Sequence, residues 1–201
     1  MNLRKNLYLI KSIILLIFFS LIPSSYATSI GSSPIKTLVI VSHPYPERSV
    51  LTKGLQEAAE KVDGVTVRNL ESIYGFDTRK INASVERQLM QEHSRIVFIF
   101  PTHWFNITPM LKAWLNETWG NVGPGLWKGK EMLVVSTAAG GDTTYGTNGR
   151  IGVALADVFL SMKASAMHAG MVWMQPLVFQ NASYAHLPEY QQKLTERLQM
   201  E

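Results

Sequence analysis

Three short stretches gather side chains that could do chemistry: HPYPERS (residues 43–49), PTHWFNI (101–107) and TAAGGDTTYGTNGR (137–150). The first offers His43, Arg48 and the Ser49 hydroxyl as donors and ends where a helical pattern begins. A helix amino end presents unpaired N–H groups and partial positive charge, which suits a phosphate. The same residues also fit an ordinary N-cap at Ser49 and a turn at His43. In the second stretch Trp104 and Phe105 stand beside His103, where small polar turn residues are usual. Two consecutive aromatics at a strand end suit a flat π ligand, although capping the core is their plainer use. The third holds Gly140, Gly141 and Gly146, which allow close backbone approach, and Tyr145, which can donate a proton or hydrogen bond to a carbonyl-like acceptor. Taken alone, Gly-Gly-Asp is a plain turn and Tyr145 a surface residue.

Several chemistries are excluded. With no cysteine in the chain there is neither thiol catalysis nor a disulfide. Neither a Walker sequence nor G-x-G-x-x-G occurs, which argues against a P-loop triphosphatase or a Rossmann dinucleotide site. A hydrolase built on His43 and Ser49 lacks both triad spacing and a G-x-S-x-G elbow.

The elements that must carry these loops alternate strictly. Strands are expected at 37–42, 65–70, 95–100, 131–136 and 171–179, because these runs are short, β-branched and aromatic. Helices are expected at 49–62, 82–94, 108–119, 150–169 and 188–200, with Ser49 and Asn82 as N-caps and Pro188 near a start. Nearly continuous apolar strands between helices predict an α/β doubly wound, five-stranded parallel sheet in the order 2-1-3-4-5. In such a sheet ligands bind beyond the carboxyl ends of the strands, where all three stretches would meet. Residues 121–130 read as a surface loop, and Trp114 and Trp119 as packing or a dimer face.

The chain carries 19 Lys and Arg against 15 Asp and Glu, a formal charge of +4. Arg4, Lys5 and Lys11 account for most of that excess, so no nucleic acid is expected as a partner. Those residues precede an apolar run at 13–22, then Pro23 and the small pair Ser25 and Ala27. This layout predicts a signal peptide over residues 1–27, with residues 28–201 as one exported, periplasmic domain. The other reading of the leader is an uncleaved membrane anchor, for which the run is short.

From about Thr37 to the C-terminus the chain resembles the flavodoxin-like NAD(P)H quinone reductases, and most closely the bacterial potassium-efflux ancillary oxidoreductases. The resemblance rests on HPYPERS, FPTHWFNITPMLKAW, AAGGD and GMVWMQPL, in that order and spacing. It implies a non-covalent flavin, FMN or FAD, and NAD(P)H as hydride donor to a quinone-like acceptor in ping-pong fashion. His43, Ser49 and Val50 would line the phosphate end; Pro101, Thr102, His103, Trp104 and Phe105 would flank the ring. Gly140 and Gly141 would lie against its pyrimidine side, with Tyr145 near the substrate as the catalytic group. A homodimer is implied and no metal. Two departures stand out: Ala138 and Ala139 replace a usual Thr-Thr pair, and Asn148 and Arg150 occupy the region of a histidine in the animal enzymes. The departures favour an alternative, a flavin-binding regulatory partner with little turnover.

Overall fold

The computed structural model describes residues 35–120 and 123–200. The expected signal peptide lies outside the described residues. Parallel strands β1 (Thr37–Val41), β2 (Val65–Asn69), β3 (Arg95–Pro101) and β4 (Glu131–Thr137) are followed by β5 (Val172–Trp173) and β6 (Leu177–Phe179). The order is β2-β1-β3-β4-β5, with β6 also paired to β4, so the expected doubly wound sheet is present. Helices are α1 (Val50–Ala59), α2 (Leu70–Tyr74), α3 (Ala83–Glu92), α4 (Pro109–Trp119), α5 (Leu160–His168) and α6 (Leu187–Gln199).

The apolar strand runs divide by strict alternation between two layers. Leu38, Ile40, Ile96, Phe98, Phe100, Met132 and Val134 face Leu111 and Trp114 of α4 and Met162 of α5. Val39, Val41, Val97, Ile99, Leu133 and Val135 face Leu55 of α1 and Leu194 and Leu198 of α6. Central strands are thus buried on both sides, which is why they read as unbroken apolar runs.

Three expectations need correction and one needs refinement. The run at 171–179 is two short strands rather than one. Glu131 pairs with Val172 but Val135 with Leu177, an offset one residue larger. Pro176 has no N–H for the ladder, and the extra residue is absorbed there as a bulge. Helix α2 was not expected; Asn69, at the end of β2, caps it by accepting from Ser72 N–H at 3.0 Å. The helix expected at 150–169 begins late, with a 3-10 turn at Leu155–Phe159 ahead of α5. Finally, the segment at 123–130 lies at the surface as expected but is pinned to the core at one point. Trp127 is 1% exposed, and its N–H donates to Ala169 O at 2.9 Å. Asn82 caps α3 as expected, through Val85 N–H.

Arg95 opens β3 at 1% exposure, an unusual place for a guanidinium. It donates to Glu131 Oε2 at 2.6 Å and to the carbonyls of Leu198 and Met200, so it caps the carboxyl end of α6. Removing it strands a carboxylate and two helix-end carbonyls. Arg95→Met should therefore lower stability by roughly 2–3 kcal/mol in urea unfolding. Arg79→Met, which breaks the exposed pair with Asp77, should not move the midpoint.

Candidate functional site

Strands β3 and β4 end together at Pro101 and Thr137, and β1 ends two ladder positions earlier, opposite Ile99. Ser42 N–H donates to Ile99 O at 3.0 Å, and Thr102 N–H to Thr137 O at 2.8 Å. The Thr102 and Ser136 hydroxyls lie 2.8 Å apart, and Ser136 also donates to Phe100 O. This polar seam fixes where β1, β3 and β4 release their loops.

Two compartments open above the seam. One, of about 530 Å³, is lined by His43, Arg48, Val50, Pro101, Thr102 and His103, among others. The other, of about 540 Å³, is lined by Trp104, Phe105, Gly140 and Tyr145 together with Thr102 and Ala139. Thr102 and Ala139 line both, so the two are halves of one cleft. The expected site residues therefore come together, apart from Ser49 and Gly141, which stand outside the lining. Gly141 packs instead against Asn181, whose Cβ would lie 3.2 Å from a Cβ at 141.

The first compartment is built for an anion. Leu51 and Thr52, in the first turn of α1, line it with Val50, and first-turn N–H groups have no intrahelical acceptor. Ser49 precedes the helix but makes no side-chain capping bond. Tyr45 N–H donates to His43 Nδ1 at 3.0 Å, which leaves the proton on Nε2. Burial, and then the nearby His103, hold the His43 pKa below its ordinary value. His43 thus meets a ligand as a neutral Nε2–H donor. It makes no hydrogen bond with Ser49 among the described residues, which removes the hydrolase pairing.

The second compartment is built for a ring. His103 N–H and Asn106 N–H each donate to the other's carbonyl, at 3.2 and 3.0 Å, closing a two-residue turn. Its central residues are Trp104 and Phe105, with φ of 46° and 58°. That is the mirror-image turn usually made by Asn-Gly. Each aromatic costs about 1–2 kcal/mol in this left-handed region. The strain holds Trp104 outward at 92% exposure, so it is no core cap. Phe105 meets Tyr145 edge-to-face at 6.0 Å. A Cβ at Gly140 would lie 2.9 Å from the Tyr145 ring, so only glycine lets that ring settle on the backbone. Burial raises the Tyr145 pKa and keeps the phenol protonated.

Glu71 was missed by sequence reasoning. It lies in α2 at 7% exposure, beneath the cleft. Its Oε1 accepts from Ser42 Oγ at 2.7 Å, and Ser42 is in turn hydrogen-bonded to Thr108 at the start of α4. One carboxyl thus ties the loop after β1 to the loop after β3, while Oε2 has no partner. In the sequence it sits on an unremarkable polar-looking stretch, with nothing to mark it.

The flavodoxin-like fold family model matches residues 35–199. General stress protein 14 of Bacillus subtilis (strain 168) is 34% identical over 156 residues, covering 75% of this chain and 87% of the relative. The glutathione-regulated potassium-efflux system ancillary protein KefF of Citrobacter koseri is 28% identical over 146 residues, covering 69% and 80%. Among solved structures, general stress protein 14 of Treponema denticola in complex with FMN superposes with a TM-score of 0.71 at 27% identity, covering 82% of this chain and 99% of that one. These relatives overturn the expected location. The relatives are a general stress protein and an efflux ancillary protein, which do not support a periplasmic enzyme. The expected location is withdrawn on the relatives alone; no helix among the described residues is long and apolar enough to cross a membrane, and the leader lies outside them.

Burial is the largest influence on Glu71 and raises its pKa, against hydrogen bonds from Ser42 and the His43 backbone. The folded chain then keeps a proton that the unfolded chain has released. The stability Glu71 contributes is full below its unfolded pKa and is lost as pH rises through the folded one. Glu71→Gln should flatten that loss. Urea unfolding between about pH 5 and pH 8 should show a smaller fall for the variant than for wild type; equal falls would show that the carboxyl titrates normally.

Proposed function

The chain belongs to the flavodoxin-like fold family, and from that premise we propose that it is a flavin-dependent NAD(P)H oxidoreductase that reduces quinones or similar flat acceptors. The observation that carries the reading is one continuous cleft with an anion-binding half and an aromatic half, joined at Thr102 and Ala139. A flavin mononucleotide has that division of chemistry, and the Treponema relative is known in complex with FMN; FAD would add an adenylate beyond the phosphate. When bound, a flavin would accept a hydride from NAD(P)H and hand it on, together with one further proton from solvent, to a quinone that leaves as the hydroquinone.

The chain's own residues position and polarise. First-turn N–H groups of α1 from Val50 on, with His43 as a side-chain donor, hold the phosphate. Pro101, Thr102 and His103 form the ring's floor, and Trp104 and Phe105 its aromatic flank. Gly140 brings backbone to the pyrimidine edge, with Gly141 packed behind it on Asn181. Tyr145, protonated because it is buried, donates a hydrogen bond to the carbonyl of the acceptor. Donor and acceptor are both flat and share the single aromatic half, so they enter in turn, which is ping-pong exchange. A homodimer accounts for the exposed apolar residues Leu160 and Met167 of α5.

A second reading, a flavin-binding regulatory partner with little turnover, is favoured by the likeness to an efflux ancillary protein. One set of measurements separates the two. Purified protein reconstituted with FMN or FAD should show the visible flavin band, and NADH or NADPH oxidation should depend on added quinone. Flavin binding without quinone-dependent turnover would leave the regulatory reading; no flavin binding would end both. Trp104→Asn relieves the left-handed strain and removes the stacking face. It should raise the stability of the flavin-free protein by about 0.5–1 kcal/mol and weaken flavin binding by about tenfold. A merely structural Trp104 would move both in the same direction.

A further inference from the structure

The aromatic half of the cleft contains one charged side chain, Arg150. Among the described residues its guanidinium makes no ion pair and no hydrogen bond. By contrast Arg48, beside the anion-binding half, has Glu47 at 3.7 Å and lies over the Tyr45 ring. Free arginines on loops are common, but this one is fixed in place by its backbone. Arg150 N–H donates to Thr143 O at 3.0 Å, Ile151 N–H to Thr144 O at 3.1 Å, and Gly146 N–H to Val153 O at 2.9 Å. The segment is folded back on itself, so position 150 is laid alongside the turn that carries Tyr145. Gly149 shows how closely: a Cβ there would sit 2.3 Å from the Tyr145 carbonyl oxygen. The guanidinium is therefore delivered to the same compartment as the Tyr145 and Phe105 rings and the outward-held Trp104.

We propose that Arg150 makes this compartment selective for flat aromatic acceptors that carry an acidic substituent, a sulfonate or carboxylate on the ring. The inference rests on the oxidoreductase reading above and adds the substrate class. The aromatic wall takes the ring by stacking, and the planar fork of the guanidinium matches two oxygens of the acid at once. The neutral phenol of Tyr145 adds no opposing charge, and no carboxylate lines the compartment to repel the ligand. The same chemistry could serve a phosphate on the nicotinamide donor, so the test must separate acceptor from donor.

The experiment compares naphthoquinone with its sulfonate, and NADPH with NADH, in the flavin-loaded protein and in Arg150→Gln, Arg150→Lys and Gly149→Ala. Wild type should favour the sulfonate by about tenfold in kcat/KM, chiefly through KM, and lose that preference as salt rises. Arg150→Gln should bring the sulfonate-to-neutral ratio close to one, and Arg150→Lys should keep part of it. Gly149→Ala, which retains the charge but shifts the segment, should also lower the ratio. Calorimetric titration of naphthalene sulfonate into the flavin-free protein gives the second readout, with binding that weakens in Arg150→Gln. A ratio unmoved by Arg150→Gln overturns the proposal. So does an NADPH-to-NADH ratio that falls while the acceptor ratio stays fixed, since the arginine would then serve the donor. If the protein bound no flavin at all, the oxidoreductase reading would fail, and the calorimetric arm would still decide whether Arg150 recognises an aromatic acid.

Discussion

The cleft exists because the chain leaves β1 and β3 on opposite faces of the sheet. After β1 it runs to α1, which packs with α6 on the layer of Val39 and Val41. After β3 it runs to α4, on the layer of Phe98 and Phe100. The strands are neighbours and end within two ladder positions of each other, yet their loops must part. A crevice at that point is a consequence of topology, and it would open for any sequence that kept this strand order. The residues in the loops decide what the crevice can hold.

What they add is largely paid for by the core. Trp104 and Phe105 sit in a backbone region that costs each of them about 1–2 kcal/mol, against a net stability that for such domains is only about 5–15 kcal/mol. Glu71 adds a desolvated carboxyl with an unpartnered oxygen just beneath. Both liabilities lie near the carboxyl ends of β1 and β3, above the buried apolar runs of those strands. A buried seam of Ser42, Thr108, Ser136 and Thr102 separates the two zones. The strained turn persists because the strands on which it is mounted are over-determined by packing.

The strands and their order were legible because burial on both faces forces a β-branched, apolar run that no other element of that length explains. The loops were legible because Trp104 and Phe105 are the wrong residues for a turn unless the turn has another use. What stayed hidden depends on contacts far along the chain. Nothing in the Gly- and Pro-rich surface loop marks Trp127 as the residue whose backbone bonds to the end of α5. The bulge at Pro176 depends on the register of β4, which the sequence of residues 171–179 does not contain. Glu71 acquires meaning only when Ser42 and Thr108 are brought to it, from 29 positions away and, through Ser42, from the other side of the cleft. The N-terminal leader misled for the opposite reason: its local pattern is clear, but a location is a property of the whole protein.

Geometry also changes the weight of the departure at Ala138 and Ala139. Ala138 is 4% exposed and belongs to the core. Its N–H donates to Phe179 O and its carbonyl accepts from Ala182 N–H, both at 2.9 Å. Ala138 nevertheless also lines the anion-binding half, so a hydroxyl lost here is a polar group lost from that wall. Ala139 is the exposed member of the pair, and it lines both halves where they join. The two-residue change therefore takes one hydroxyl from the wall of the anion-binding half and one from the junction. There the smaller side chain widens the passage between the anion-binding and aromatic halves, while Thr102 on the opposite wall keeps its hydroxyl 2.8 Å from Ser136. A site that had lost its function would be expected to close or lose its polar seam at this point. This one keeps the seam intact and the passage open.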